Sequence, residues 1–201
     1  PRHGHGPSPQ VAGGTLYIEG PDILRAVDVY TGTLRWEKSL PGLGTYHDNT
    51  AHHPGAGGIG SNYVSLADGV YVAYGKQCLR LDPRTGKTLA TFRLPKVKGT
   101  EPYWGYVGVT GEVLLAGSWP LDVRGAYDKR KRTFRKVAVV ENARWAVASR
   151  HLVAMDRRTG KVLWQREAGQ NFRHNAIAIA AGIDIPADVV PCLEYRLYLP
   201  P

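Results

Sequence analysis

Residues 152–164 alternate between two short apolar runs and one polar corner. Leu152, Val153 and Met155 stand before the corner, and Val162, Leu163 and Trp164 stand after it. Short β-prone runs bounded by turn residues read as paired strands. At the corner, Asp156 can accept hydrogen bonds from backbone N–H groups two and three residues on, which favours a tight turn. Gly160 can close that turn with a positive φ that a side chain would resist. The pattern predicts a hairpin.

The same pattern occurs twice earlier. Asp28 is followed by Thr31 and Gly32, and Asp82 by Thr85 and Gly86, each corner lying between apolar runs. Trp36 and Trp164 fall four residues past their glycines. Ala90 holds that place in the middle copy, and Phe92 lies two residues further on. Side chains alternate faces along a strand, so Phe92 shares the face of the missing Trp. A second phrase precedes each copy: a turn ending in Gly14, Gly69 or Gly111, followed by an apolar strand. Each unit therefore reads as strand-turn-strand, connection, strand-turn-strand, a four-stranded antiparallel sheet. The expected fold class is all-β.

Asp28 and Asp82 are 54 residues apart, and Asp82 and Asp156 are 74 apart. Four-stranded repeats of about 40–50 residues suggest propeller blades. The expected units cover residues 8–41, 63–95 and 104–169, with an inserted stretch at 120–144 in the third. A further blade is expected to start over 171–182. Residues 43–62 and 95–101 read as connections. Three units and part of a fourth cannot close a ring of four to eight blades, so the chain reads as a fragment, with both outer blade faces bare unless more blades follow.

These corners resemble the PQQ-binding-like β-propeller repeat family, which includes quinoprotein alcohol dehydrogenases and the BamB outer-membrane assembly factor. Ala154, Asp156, Thr159, Gly160, Lys161 and Trp164 match its repeat position for position. The first copy has Thr33 in place of the Lys, and the second lacks the Trp. The likeness extends over about residues 8–179. It implies that Trp36 and Trp164 pack between neighbouring blades, where truncation to Ala costs about 3–5 kcal/mol. Trp104, Trp119 and Trp145 lie outside the repeat.

Chemistry is harder to place. Oxidation with pyrroloquinoline quinone (PQQ) and Ca²⁺, as the enzyme branch of the resemblance implies, needs a catalytic carboxylate, a metal site of carboxylate and amide oxygens, and groups stacked on the quinone. Enzymes of the family often stack a disulfide of adjacent cysteines there. The two cysteines here, Cys78 and Cys192, are far apart. They read as small buried hydrophobes, with a disulfide between them as the alternative. No catalytic residue is nominated, and no cofactor-binding one. The expectation is a non-enzymatic scaffold or protein-interaction module of the bacterial envelope or periplasm, BamB-like, with a PQQ-dependent alcohol or sugar dehydrogenase as the alternative.

Three further stretches carry polar groups. His47, Asp48, His52 and His53 lie in a Gly-rich connection, but their spacing fits no tight metal signature, so we read a hydrogen-bonded or solvated loop. The adjoining glycines are not a phosphate loop, because no Gly-Lys-Ser/Thr follows. Arg173 and His174 stand near an expected strand start and read as structural. The net charge of +9 rests largely on Lys129, Arg130, Lys131, Arg132, Arg135 and Lys136; without these six it would be +3. The run reads as a solvated loop, with polyanion binding as the alternative. No run of the sequence approaches the length of a transmembrane helix.

Overall fold

The computed structural model describes residues 8–20, 22–43, 62–124, 127–128, 130, 133–134, 138–143 and 148–177. Strands β1 (Gln10–Ala12), β2 (Thr15–Glu19), β3 (Ile23–Asp28) and β4 (Leu34–Ser39) pair in that order as the first sheet. The second sheet follows the same plan with β5 (Tyr63–Leu66), β6 (Gly69–Tyr74), β7 (Gln77–Leu81) and β8 (Thr88–Arg93). In the third, β9 (Trp104–Thr110), β10 (Val113–Arg124), β14 (Ala148–Asp156) and β15 (Val162–Arg173) are joined by β13 (Ala138–Glu141) beside β10. A separate pair, β11 (Tyr127–Asp128) with β12 (Thr133–Phe134), lies between β10 and β13 in sequence.

The three Asp corners are built alike. Asp28 Oδ1 accepts from the N–H groups of Tyr30 and Thr31, Asp82 Oδ1 from those of Arg84 and Thr85, and Asp156 Oδ1 from those of Arg158 and Thr159. The glycine N–H then donates to the Asp carbonyl at 2.9, 2.9 and 2.8 Å. Gly32, Gly86 and Gly160 take φ of +72°, +69° and +74°. Just past each corner one residue is extra. Val27 pairs with Leu34 but Ala26 with Trp36; Leu81 with Thr88 but Arg80 with Ala90; Met155 with Val162 but Ala154 with Trp164. Arg35, Leu89 and Leu163 are the bulged residues, and a bulge re-aims the side chains beyond it.

That re-aiming sets the packing between sheets. Trp36, 8% exposed, lies on the second corner: a Cβ added to Gly86 would sit 2.7 Å from its ring. The indole N–H donates to the Pro83 carbonyl at 2.8 Å. At the next seam Phe92 lies on Gly160, where an added Cβ would be 2.9 Å from the phenyl ring. Phe92 thus does the work expected of the absent Trp. A tyrosine flanks each ring: Tyr17 beside Trp36, with centroids 5.9 Å apart, and Tyr71 stacked on Phe92 at 6.3 Å. Trp164 is half-buried against Leu115, Leu152 and Ala154. No fourth corner lies among the described residues for it to rest on, so the large truncation cost belongs to Trp36 here.

Strand β6 shows why alternation is lost in the middle sheet. Val70 and Val72 join the core shared with the first sheet, while Tyr71 and Ala73 join the core shared with the third. A strand covered on both faces reads as a continuous apolar run.

The third sheet departs from the expected plan in two places. The insertion was expected from Pro120, but β10 continues through it to Arg124, pairing Leu121 with Glu141 and Val123 with Val139 of β13. Trp119 at φ +56° marks an irregularity in the strand. Pro120, which has no N–H to give the ladder, instead accepts at its carbonyl from Ala143 N–H at 3.0 Å. Residues 171–173 were expected to open a new unit, yet they finish β15, Phe172 pairing with Ser149 and Arg173 with Ala148. Gly169 has open space around it and does not interrupt the strand. A 3-10 turn, His174–Ala176, follows in place of the expected strand. The rest of that stretch, from residue 178, lies outside the described residues.

Gly86→Ala meets both a left-handed backbone and the Trp36 ring, whereas Gly32→Ala meets only the backbone cost, with nothing within 4 Å. The left-handed term is about 1–2 kcal/mol. Chemical denaturation should therefore show Gly86→Ala losing clearly more stability than Gly32→Ala, and Trp36→Ala losing about 3–5 kcal/mol. Equal losses for the two glycine variants would contradict the seating of the indole.

Candidate functional site

Chain order places the three Asp corners at one end of the sheets. The β2–β3 and β6–β7 turns, the insertion between β10 and β14, and the connections from one sheet to the next emerge at the other end. The corner end is closed by its own bonds. Arg157, next to Asp156, bonds Asp68 at 3.0 Å, the Tyr71 hydroxyl at 3.3 Å and Glu112 at 3.3 Å, tying the third corner to the second sheet. The Arg157 guanidinium holds the Asp68 carboxyl below its usual range, and Asp68 in turn pushes Arg157 up.

The opposite end holds buried polar groups in two clusters. The first lies between the first two sheets. Gln10 imitates a strand neighbour, donating to the Tyr63 carbonyl at 2.7 Å and accepting from Ser65 N–H at 2.8 Å. The Tyr63 hydroxyl donates towards the Tyr17 carbonyl at 3.0 Å and the Ser8 carbonyl at 2.9 Å. Beside them, Glu19 Oε2 and both amide atoms of Asn62 are buried without a hydrogen bond. Burial pushes the Glu19 carboxyl up to about 7; the nearby Asn62 amide opposes the shift only in part.

The second cluster lies within the third sheet. Register puts Trp104, Ser118, His151 and Glu167 in one row across β9, β10, β14 and β15. Trp104 Nε1, Ser118 Oγ and His151 Nδ1 are buried without hydrogen bonds. Nearby, Ser149 Oγ and His174 Nε2 are 2.7 Å apart, a distance suited to a nucleophile and its base. Access argues against catalysis. Ser149 is wholly buried, and Gly105 and Gly117 press so close to its hydroxyl that neither could carry a Cβ without displacing it. The pair acts as a clasp holding the turn after β15 to the sheet. This agrees with a structural role for His174, while Arg173 points to solvent.

Sequence reasoning missed Glu19, Asn62, Ser118, Ser149 and His151. The one cue was Gly105 and Gly117 inside apolar strands, since glycine there marks close approach. Residues 47–53 lie outside the described residues, as do Lys129, Lys131, Arg132, Arg135, Lys136, Trp145 and Cys192. Arg130 is described and exposed. Cys78 is buried and free in the second seam, its thiol pushed up by burial.

Ca²⁺ takes six to eight oxygen ligands. Glu19 and Asn62 offer one carboxylate and one amide, and that carboxyl is half-protonated near neutrality. Among the described residues no group of three or more His, Cys, Asp or Glu comes together. The described donors do not fit a Ca²⁺–quinone site, and no step is derived through one.

Antiparallel sheets in series, the first and second each laying an aromatic ring on the next sheet's corner, are blades of a partial β-propeller. Residues 1–190 match the family model described as outer membrane protein assembly factor BamB, and the chain belongs to that family. Among solved structures, a quinohemoprotein alcohol dehydrogenase from Comamonas testosteroni shares 16% identity with a TM-score of 0.50, covering 83% of this chain and 21% of its own. BamB from Moraxella catarrhalis shares 17% identity with a TM-score of 0.41, covering 83% and 52%. The chain thus spans less than two thirds of either protein. No curated protein matches it. The described residues include no helix long and apolar enough to cross a membrane.

Glu19 gives a pH-dependent outcome. Its folded value, about 7, lies above the ordinary 4.5. The folded state therefore holds the proton more tightly, and stability falls as pH rises from about 4.5 to 7. Glu19→Gln should match the parent at pH 4 and exceed it at pH 8 by about 1–3 kcal/mol, read from denaturation midpoints at the two pH values. A variant less stable at pH 8 would show that the carboxylate is solvated or paired.

Proposed function

We propose that this chain is part of a non-enzymatic propeller scaffold of the bacterial envelope that binds other proteins at the end opposite the Asp corners. The observation that carries the reading is the lip built by β10 and β13. Beyond Ser118, β10 outruns β9, and β13 takes up the line that β9 leaves, with Asn142 accepting from Tyr103 N–H at 3.0 Å where the two meet. Val139 and Val140 on β13 are 48% and 51% exposed. Neighbouring strand residues point to opposite faces, so both faces of the lip are apolar at its edge. An edge strand with exposed valines is suited to strand addition by an extended partner segment. Family membership supports the envelope setting, and the periplasm is the compartment proposed. Within the described clusters the bonds of Gln10, Tyr63 and the Ser149–His174 pair tie strands together, which is what a scaffold requires of them.

A photo-crosslinking residue placed at Val140 in the full-length protein, in its native cells, should trap a discrete envelope protein. Val140→Lys should weaken the recovery of that protein at least severalfold while leaving the thermal midpoint unchanged. Saturable PQQ binding with Ca²⁺-dependent dye reduction by the full-length protein would overturn the scaffold reading in favour of a quinoprotein dehydrogenase.

A further inference from the structure

His151 sits where the second and third sheets meet. Its register partners carry the face onwards: Ala116 with Val153 and Leu114 with Met155 belong to the core of that seam, and Ser118 with His151 is the next pair towards the open end. Trp104, opposite Ser118, belongs to the same core. The histidine is 7% exposed, and Nδ1 has no hydrogen-bond partner. An unpaired polar atom in such a place is costly, and a charged one more so. The seam is also bridged by a backbone bond near this row, from Trp104 N–H to the Gly75 carbonyl at 2.9 Å.

We propose that His151 is an acid-sensitive latch: while its ring is neutral the second and third sheets stay closed, and protonation opens the seam at the Trp104–Gly75 end. The groups around the ring favour this sense. Burial disfavours the charged form most, and the cations of Arg150 on its own strand and Lys98 on the connection from β8 to β9 add to that. Glu167 on β15 is the one carboxylate acting the other way. Strands β9 and β10 contribute the uncharged Trp104 and Ser118. The core that the second sheet shares with this face, including Ala73, Cys78 and Phe92 with Leu94 just past β8, is apolar. Arg150 is itself held outward by Glu141 at 3.2 Å and the Gln170 carbonyl at 2.8 Å. The folded ring thus titrates below the ordinary 6.5. Its contribution to closure is complete above pH 6.5 and is lost as pH falls through the folded value.

Two measurements on the whole chain test this. In the first, hydrogen exchange of the Trp104 amide, corrected for the intrinsic rate, is followed from pH 7.5 to 5.5. Its opening equilibrium should rise severalfold in the parent and stay flat in His151→Gln. Glu19 acts at the other seam with the opposite sign, so a local amide is the readout rather than global unfolding. In the second, the His151 ring is titrated by NMR in the parent protein, the signal being assigned by its absence from His151→Gln. A ring titrating at or above 6.5, or the same acid-induced opening in His151→Gln, would overturn the latch. Should His151→Gln not fold, His151→Asn supplies the assignment and the parent titration decides.

Discussion

The structure depends on one repeated contact, an aromatic ring from the fourth strand of one sheet laid on the corner glycine of the next. Three features must coincide for it. The corner must hold its glycine at positive φ, which the Asp carboxylate secures by fixing two N–H groups ahead of it. The glycine must lack a Cβ, because the space one would fill already belongs to Trp36 or Phe92. The bulge after the corner must aim the next aromatic across the seam. The middle corner receives Trp36 and launches Phe92, and sheets of this design stack in series. Relaxing any one feature loosens two sheets together.

This arrangement divides the molecule by chemistry. At the corner end, backbone groups are taken up by Asp and Thr side chains, and the charged groups of the second seam pair off as Arg157 with Asp68 and Arg158 with Glu112. At the other end lie Glu19, Asn62, Ser118 and His151, buried with polar atoms that make no bond. Such groups cost stability, and they sit where connections leave the sheets rather than where corners lock them. Their titration runs in opposite senses: the carboxyl between the first two sheets favours acid, and the imidazole between the second and third favours base. The two seams therefore differ in response although they share one packing plan.

The corners, the strands beside them and the substitute role of Phe92 were legible in the sequence because each rests on local chemistry. An Asp, a Thr and a Gly at fixed spacing specify a turn whatever surrounds them. The extension of β10 was not legible, because Pro120 ordinarily ends a strand and here survives beside an irregular Trp119. Residues 171–173 were assigned to the wrong strand for a related reason. An apolar alternation marks a strand without saying which neighbour it pairs with, and only the register with Ser149 and Ala148 decides that. The buried polar clusters were hidden more deeply. Ser118 and His151 are 33 positions apart in sequence, and nothing about either residue alone shows that a pleat brings them side by side.

The third sheet shows how such a fold gains a surface without weakening its frame. An insertion at the second or third corner would have to avoid the ring that covers the glycine and keep the turn bonds of the Asp carboxylate. The turn between second and third strands carries less: in the second sheet it is only Gly75 and Lys76 joining β6 to β7, with the Gly75 carbonyl accepting from Trp104 N–H. The third sheet spends that freedom by letting β10 run on and recruiting β13 beside it, so that new backbone bonds satisfy the added residues and the seam below is untouched. The extension also lies next to the row holding Trp104, Ser118 and His151. A partner bound along β13 would press on β10, the strand that pairs with β13 at one end and carries Ser118 beside His151 further back, so β10 would link the two proposed functions.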